Sequence, residues 1–352
     1  MKKNSFFPYL VEVVTDANVS QAPDEPDVIQ LKVPKGYRTA NNTLFKARAL
    51  NYACEHSVVA GNTWIVHLDE ETRPTSSAIK GIAAMIGDCE KRGDTRRIGQ
   101  GCILYDRAFK KYPFLTLADT RRTGDDFGHF FLQHRLGRTL FGLHGAYIVC
   151  RQDLEASVGF DIGPKGSITE DAWWILLAMK EGCRTMWVDG FLDEQSTQSI
   201  MDFLKQRRRW TFGLIKVASL TPVPIYYRLS IAWFVFSWVA VPFLLPLQLG
   251  YTKALIILNL PIPFYFRIPT IFILTLQFYV YLIGWYVNAR EYRFIYPNSL
   301  NISIDISPTP TETGNDNGNG IGNENENDDY MITVRDNGDG IDWNDLCHMG
   351  TR

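Results

Sequence analysis

Thr63-Trp64-Ile65-Val66-His67-Leu68-Asp69-Glu70-Glu71 decides the fold. A β-branched and apolar run that stops at three consecutive acids reads as a buried strand whose exit carries charge. Strand-like runs flank it at Tyr9 to Asp16, Val28 to Val33, Ile98 to Tyr105, Phe141 to Cys150 and Arg184 to Val188. Between them lie helical patterns. Thr43 to Ser57 puts Leu44, Ala47 and Leu50 on one face, and Ser76 to Lys91 and Ala172 to Lys180 show similar spacing. Strand and helix in alternation imply an α/β fold, a mostly parallel sheet with helices on both faces. Ligands of open α/β sheets bind outside the carboxyl ends of the strands, so acids at strand exits are the first candidates for chemistry.

Composition sets what surrounds that sheet. The chain has 352 residues, 46% of them hydrophobic and 13% aromatic, and a formal net charge of −2. It lacks the basic excess of a nucleic-acid binder, so no nucleic-acid partner is expected. Six scattered cysteines without a Cys-x-x-Cys pair argue against a zinc site or a disulfide framework. The sheet region is expected to fill 1–198, followed by a basic amphipathic interfacial helix over 199–220. Membrane helices are expected within 221–296, at about 229–250 and 268–289, with a re-entrant or interfacial piece at 254–265. Lys205, Arg207, Arg208, Arg209, Lys216 and Arg228 precede the first apolar stretch, and Arg290 and Arg293 follow the second. That distribution predicts an integral membrane protein with a helical hairpin and a catalytic domain facing the cytosol. Residues 297–329, rich in Asn, Gly, Asp and Glu, read as a disordered linker, and 330–352 as a fragment of unknown role.

The chemistry-bearing residues follow in chain order. Asp16 closes the first strand, where a carboxylate can read a nucleotide base or simply cap a turn. Lys46, on the next helix, can offer a point charge to a phosphate or remain solvated. Asp69 and Glu71, two alternate carboxylates, are hard oxygen ligands suited to Mg²⁺ or Mn²⁺ carrying a nucleotide diphosphate; a solvated acidic loop is the plain alternative. Thr169-Glu170-Asp171 precedes an apolar helix, with Thr169 as its expected N-cap and the two acids complementing the helix dipole. A carboxylate held there can also take the proton of an attacking sugar hydroxyl, a direct displacement that inverts the anomeric centre. Gly145, within Phe141-Gly142-Leu143-His144-Gly145-Ala146, leaves room for an acceptor sugar. In Gln206-Arg207-Arg208-Arg209-Trp210, guanidinium groups can clamp diphosphate oxygens and Trp210 can stack on a sugar, unless the segment only lies on a membrane surface.

These segments, with Val11-Glu12-Val13-Val14-Thr15-Asp16, Val33-Pro34-Lys35-Gly36-Tyr37 and Leu44-Phe45-Lys46-Ala47-Arg48-Ala49-Leu50, resemble the β-1,4-mannosyltransferases of invertebrate glycosphingolipid synthesis, within the family 2 glycosyltransferases. The resemblance implies a GT-A-type, Rossmann-like fold, GDP-mannose as donor and a lipid-linked acceptor such as glucosylceramide. It implies metal at Asp69 and Glu71, Asp171 as base, Asp16, Lys46 and Asp69 on the donor, and Glu170, Gln206, Arg209, Trp210 and Gly145 around acceptor and diphosphate. It also implies a membrane of the endoplasmic reticulum or Golgi. A processive polysaccharide synthase would share the motifs but needs more membrane helices; an inactive remnant or membrane scaffold is the non-enzymatic alternative.

Two departures stand out. Members of that family carry a strand before the one ending at Asp16, so a missing first strand and an incomplete sheet are expected. Met331-Ile332-Thr333-Val334-Arg335-Asp336-Asn337-Gly338-Asp339-Gly340-Ile341 reads as a strand leading into a glycine-rich turn and, with Met349 to Arg352, resembles a segment of MutL-type ATPases. No upstream helix accompanies it, so no activity is assigned.

Overall fold

The computed structural model describes residues 9–16, 26–69, 71–105, 111–162, 169–292 and 333–335. Among these residues one sheet holds β1 (Leu10–Asp16), β2 (Val28–Val33), β3 (Trp64–His67), β4 (Thr72–Pro74), β5 (Arg97–Leu104), β6 (Ile148–Arg151), β7 (Arg184–Glu194) and β8 (Thr333–Arg335). Their order is β2-β1-β8-β3-β6-β5-β7-β4. The helices are α1 (Phe45–His56), α2 (Ser76–Arg92), α3 (Pro113–Asp125), α4 (Phe131–Arg135), α5 (Gln152–Val158), α6 (Glu170–Lys180), α7 (Ile200–Leu220), α8 (Ile225–Ile257) and α9 (Phe264–Tyr292). A π-helical turn, Asp126–Phe130, joins α3 to α4.

Alternation along β3 sorts its side chains to opposite faces. Ile65 joins an apolar cluster with Trp173, Trp174, Ile175 and Leu176 of α6, whereas Trp64 and Val66 join Ile82, Met85 and Ile86 of α2 across the sheet. Each such side chain, fully buried, contributes about 1.5–3 kcal/mol. Helix α2 begins where the Thr75 hydroxyl accepts the Ala78 N–H (3.2 Å) and ends at Gly93, whose φ of 63° opens the left-handed turn. Helix α6 is apolar nearly all round and is accordingly sunk in the core, with Glu170 buried and Asp171 half-buried at its start and Lys180 exposed at its end.

Several expectations change. The sheet is mixed: β6 runs antiparallel to both β3 and β5, and β4 antiparallel to β7, while β1 with β2, β8 with β1 and β3, and β5 with β7 pair in parallel. The strand expected over Phe141 to Cys150 starts only at Ile148, because Gly142 (φ 95°) and Tyr147 (φ 64°) take the chain out of the extended region. Thr169 occupies the N-cap position of α6, but its side chain does not make the capping bond.

The apolar stretches 229–250 and 268–289 are helical, inside α8 and α9. Among the described residues, however, no helix is long and apolar enough to cross a membrane, so the expected spans are not supported. Part of their apolar surface is spent on internal packing: Ile231, Phe234 and Val235 join the α6 cluster, and α9 lies against α3. The piece 254–265 comprises the end of α8, a turn and the start of α9. The linker 297–329 lies outside the described residues. From 330–352 only Thr333–Arg335 is described, and it enters the sheet between β1 and β3, parallel to both, with Val334 opposite Val11 and Val66. Where a missing first strand was expected to leave the sheet incomplete, this segment occupies a central place between β1 and β3.

Candidate active site

Strands β1, β8 and β3 run in the same direction, so Asp16, which closes β1, and the exit of β3 point to one edge of the sheet. Two residues past β3, Asp69 meets Lys46 from the first turn of α1 in an ion pair. Phe45, immediately before Lys46, has φ 53° and lies exposed, so the chain turns sharply as it delivers the lysine inward. Glu170 Oε1 is 4.0 Å from the same ammonium. The focal point is Gly145. A Cβ there would sit 2.9 Å from Lys46 Nζ, 3.4 Å from Asp171 Oδ2 and 3.7 Å from Asp69 Oδ2. Lys46, Asp69, Asp171 and Gly145, chosen from four separate stretches of sequence, therefore surround one clearing.

One cation among three carboxylates sets the electrostatics. Burial alone would lower Lys46, but Asp69 and Glu170 outweigh it and hold its ammonium above the usual lysine range. Burial would raise Asp69, and Lys46 more than offsets that, keeping Asp69 below the usual carboxylate range. Burial and then the neighbouring Asp171 push Glu170 up to about 8, against Lys46. Asp171 is also raised by burial, while Lys46 and the Ala172 N–H, which donates to its Oδ1 (2.7 Å), pull it down. A carboxylate with a raised pKa at a helix start is a stronger base than a solvated one.

A second group, which sequence reasoning missed, abuts the first. Arg122 of α3 donates to Glu194 Oε1 (2.9 Å), which also accepts from the Tyr105 hydroxyl (3.0 Å). Its positive charge contributes to lowering Asp69. The Arg122 guanidinium lies 4.8 Å from the Trp210 ring centroid, and Arg207 lies 4.2 Å from the same ring while pairing with buried Asp119. Of the arginine run, then, Arg207 turns inward, whereas Arg209, expected on the diphosphate, is exposed; Gln206 is half-buried. Asp126 accepts the Ile103 N–H (3.1 Å) and meets His144 Nε2 (2.5 Å), so the residue next to Gly145 is also fixed. The spacing Asp119, Arg122, Asp126 along one helical run was the available signal.

Among the described residues, no three His, Cys, Asp or Glu side chains form a metal cage. A divalent ion that arrives with diphosphate oxygens and water needs only one or two protein carboxylates. Asp69 fits that need: Oδ1 faces Lys46, and Oδ2 faces the clearing. Glu71 is half-buried where the chain turns into β4.

A family model described as glycosyl transferase family group 2 matches residues 64–287, from β3 into α9. Beta-1,4-mannosyltransferase egh of Drosophila melanogaster is 34% identical over 291 residues, covering 81% of this chain and 61% of that protein. Beta-1,4-mannosyltransferase bre-3 is 35% identical over 279 residues in Caenorhabditis briggsae, covering 78% of this chain and 59% of the relative. In Caenorhabditis elegans it is 34% identical over 295 residues, covering 83% and 62%. The chain thus spans about three fifths of the length of the curated relatives it matches.

Proposed function

The chain belongs to the glycosyl transferase family group 2, and from that premise we propose that it transfers mannose from GDP-mannose to a glucosylceramide-like glycolipid, inverting the anomeric centre to form a β-1,4 linkage. The observation that carries this reading is the convergence of Lys46, Asp69, Glu170 and Asp171 around Gly145. The names of the relatives, all β-1,4-mannosyltransferases, support the sugar and the linkage.

In this mechanism the guanine base is assigned to Asp16 and a donor phosphate to Lys46. The acceptor hydroxyl attacks the anomeric carbon, its oxygen forms the new bond, and the bond to the diphosphate oxygen breaks. Asp171 takes the hydroxyl proton as that bond forms. Glu170, carrying a proton at neutral pH, donates a hydrogen bond without adding charge beside Asp171. Trp210, backed by Arg122 and Arg207, offers a ring face to a sugar. Mg²⁺ or Mn²⁺ would be held by Asp69, with Glu71 as the second expected ligand, and would supply neutralisation of the charge on the departing diphosphate.

The acceptor's lipid calls for an apolar neighbour. Helix α8 exposes Leu229, Trp233, Phe236, Phe243 and Leu247, and α9 exposes Ile271, Phe278 and Tyr286, a surface fit to rest against a bilayer of the secretory pathway with the catalytic cleft on the cytosolic side. The test is transfer of radiolabelled mannose from GDP-mannose to glucosylceramide in detergent with Mg²⁺ or Mn²⁺. Product of β-1,4 linkage is expected; folded protein that uses another nucleotide sugar, or none, overturns the reading.

A further inference from the structure

Among the described side chains of helix α9, Asn288 is a fully buried polar one, following the apolar run Leu282-Ile283-Gly284-Trp285-Tyr286-Val287. Its Oδ1 accepts the Tyr105 N–H (2.7 Å), and its Nδ2 donates to Thr123 Oγ1 (2.9 Å) and to the Gly284 carbonyl (2.7 Å). Thr123 in turn donates to the Ile103 carbonyl (2.8 Å). Each polar atom of this set has its partner, so the amide orientation is fixed by the network itself. The three contacts lie on different elements: the residue after β5, helix α3, and α9's own backbone.

The two helices approach so closely that side chains are excluded between them. A Cβ on Gly284 would collide with the Thr120 carbonyl, and one on Gly124 with the Val280 carbonyl. Val280, Gly284 and Asn288 recur every four residues and so share one face of α9. The face is thus pressed against α3, and its polar group reaches past α3 to the end of β5.

From that end the bonds run into the cleft by two routes. Ile103 N–H donates to Asp126, whose other oxygen meets His144, the neighbour of Gly145. Tyr105 donates through its hydroxyl to Glu194, which holds Arg122 against Trp210. We infer that Asn288 is a positioning residue: from outside the cleft it fixes the β5 exit and thereby the placement of Trp210 and of the Gly145 loop. The inference deepens the proposed function, since it assigns helix α9 a part in shaping the mannosyl-transfer site, and it rests on that reading only for its kinetic arm.

The experiment compares Asn288→Ala, Thr123→Val and the double variant with wild type in the full chain. Fluorine-19 NMR of protein labelled with 5-fluorotryptophan reads the Trp210 signal directly, assigned by loss in Trp210→Phe. The signal is expected to shift in Asn288→Ala and Thr123→Val while those of Trp64 and Trp174 hold. Turnover per folded molecule is expected to fall about tenfold in each variant, with the double variant no worse than the worse single one, as members of one network behave. GDP affinity is expected to stay within about twofold, a split that simple loss of folded protein would not produce. An unmoved Trp210 signal with unchanged turnover per folded molecule overturns the inference, as does full additivity. If wild type transfers no mannose while the Trp210 signal still shifts, the proposed activity fails and the positioning role stands.

Discussion

Gly145→Ala tests the geometry of the clearing with a single methyl group. Gly145 has no positive φ, so alanine fits its backbone. The new Cβ would sit 2.9 Å from Lys46 Nζ, closer than carbon and nitrogen normally pack, and at contact distance from Asp171 Oδ2 (3.4 Å) and Asp69 Oδ2 (3.7 Å). The group that must yield is the tip of a flexible lysine, so the fold should lose less than about 1 kcal/mol, a fall in Tm of under about 4 °C for a domain of this size. The chemistry should lose more. Lys46 leaves its place beside Asp69, and the methyl fills volume a sugar-phosphate atom requires; misplacements of this order cost about 10- to 100-fold, or about 1.4–2.7 kcal/mol of transition-state stabilisation. Initial rates of mannose transfer in detergent, set beside a thermal melt of the same preparation, give both numbers. A kcat/KM within twofold of wild type at unchanged Tm would refute the placement of substrate at Gly145. A loss of activity matched by collapse of the melt would show that Gly145 serves the fold alone.

Asp171→Asn should lower kcat by about 10²–10⁴-fold while GDP-mannose still binds, because only the proton acceptor is removed; unchanged turnover sinks the base assignment. Asp69→Ala should abolish the dependence of donor affinity on Mg²⁺ in a calorimetric titration, and a titration like that of wild type would return Asp69 to a merely structural partner of Lys46. Glu170 is raised from 4.5 to about 8, so the folded chain holds a proton that the unfolded chain has released between those values. Stability should therefore fall as pH rises through that window, and Glu170→Gln should flatten the slope of Tm against pH. Arg207→Ala strands buried Asp119 without its cation and should cost about 3–5 kcal/mol at neutral pH; a variant with an unchanged denaturation midpoint would contradict the pairing.

The central strands and the first ring of the site were legible because both are local signals. Strands such as Val28–Val33 and Trp64–His67 announce themselves by β-branched runs, and Asp69, Glu170 and Asp171 by acids at element ends. The run from Pro113 to Arg135 was not legible. It buries Thr116, Asp119, Thr120, Thr123, Asp125 and Asp126, so the face it turns inward is polar and leaves no apolar period to detect. Its buried charges are intelligible only with partners such as Glu194, His144 and Arg207, each far along the chain. The antiparallel direction of β6 was hidden for another reason: the positive φ of Tyr147 that lets the chain reverse sits on a residue with no sequence signature for it. In the same way Arg207 and Arg209 are indistinguishable by composition, and only the pitch of α7 decides which one faces Trp210.

Strand β8 has a consequence for synthesis. It lies between β1 and β3, yet Arg335 leaves the ribosome 268 residues after His67, its partner in register (335 minus 67). At about 5–20 residues per second, the nascent chain carries β3 for roughly 13–54 s, and β1 for longer still, with the edges that will receive β8 still open. Those edges include Val11 and Val66, apolar positions on strands able to pair with any extended neighbour. Until Thr333–Arg335 emerges these edges are open to mispairing, so translation itself is the stage at which chaperone protection would act on this fold.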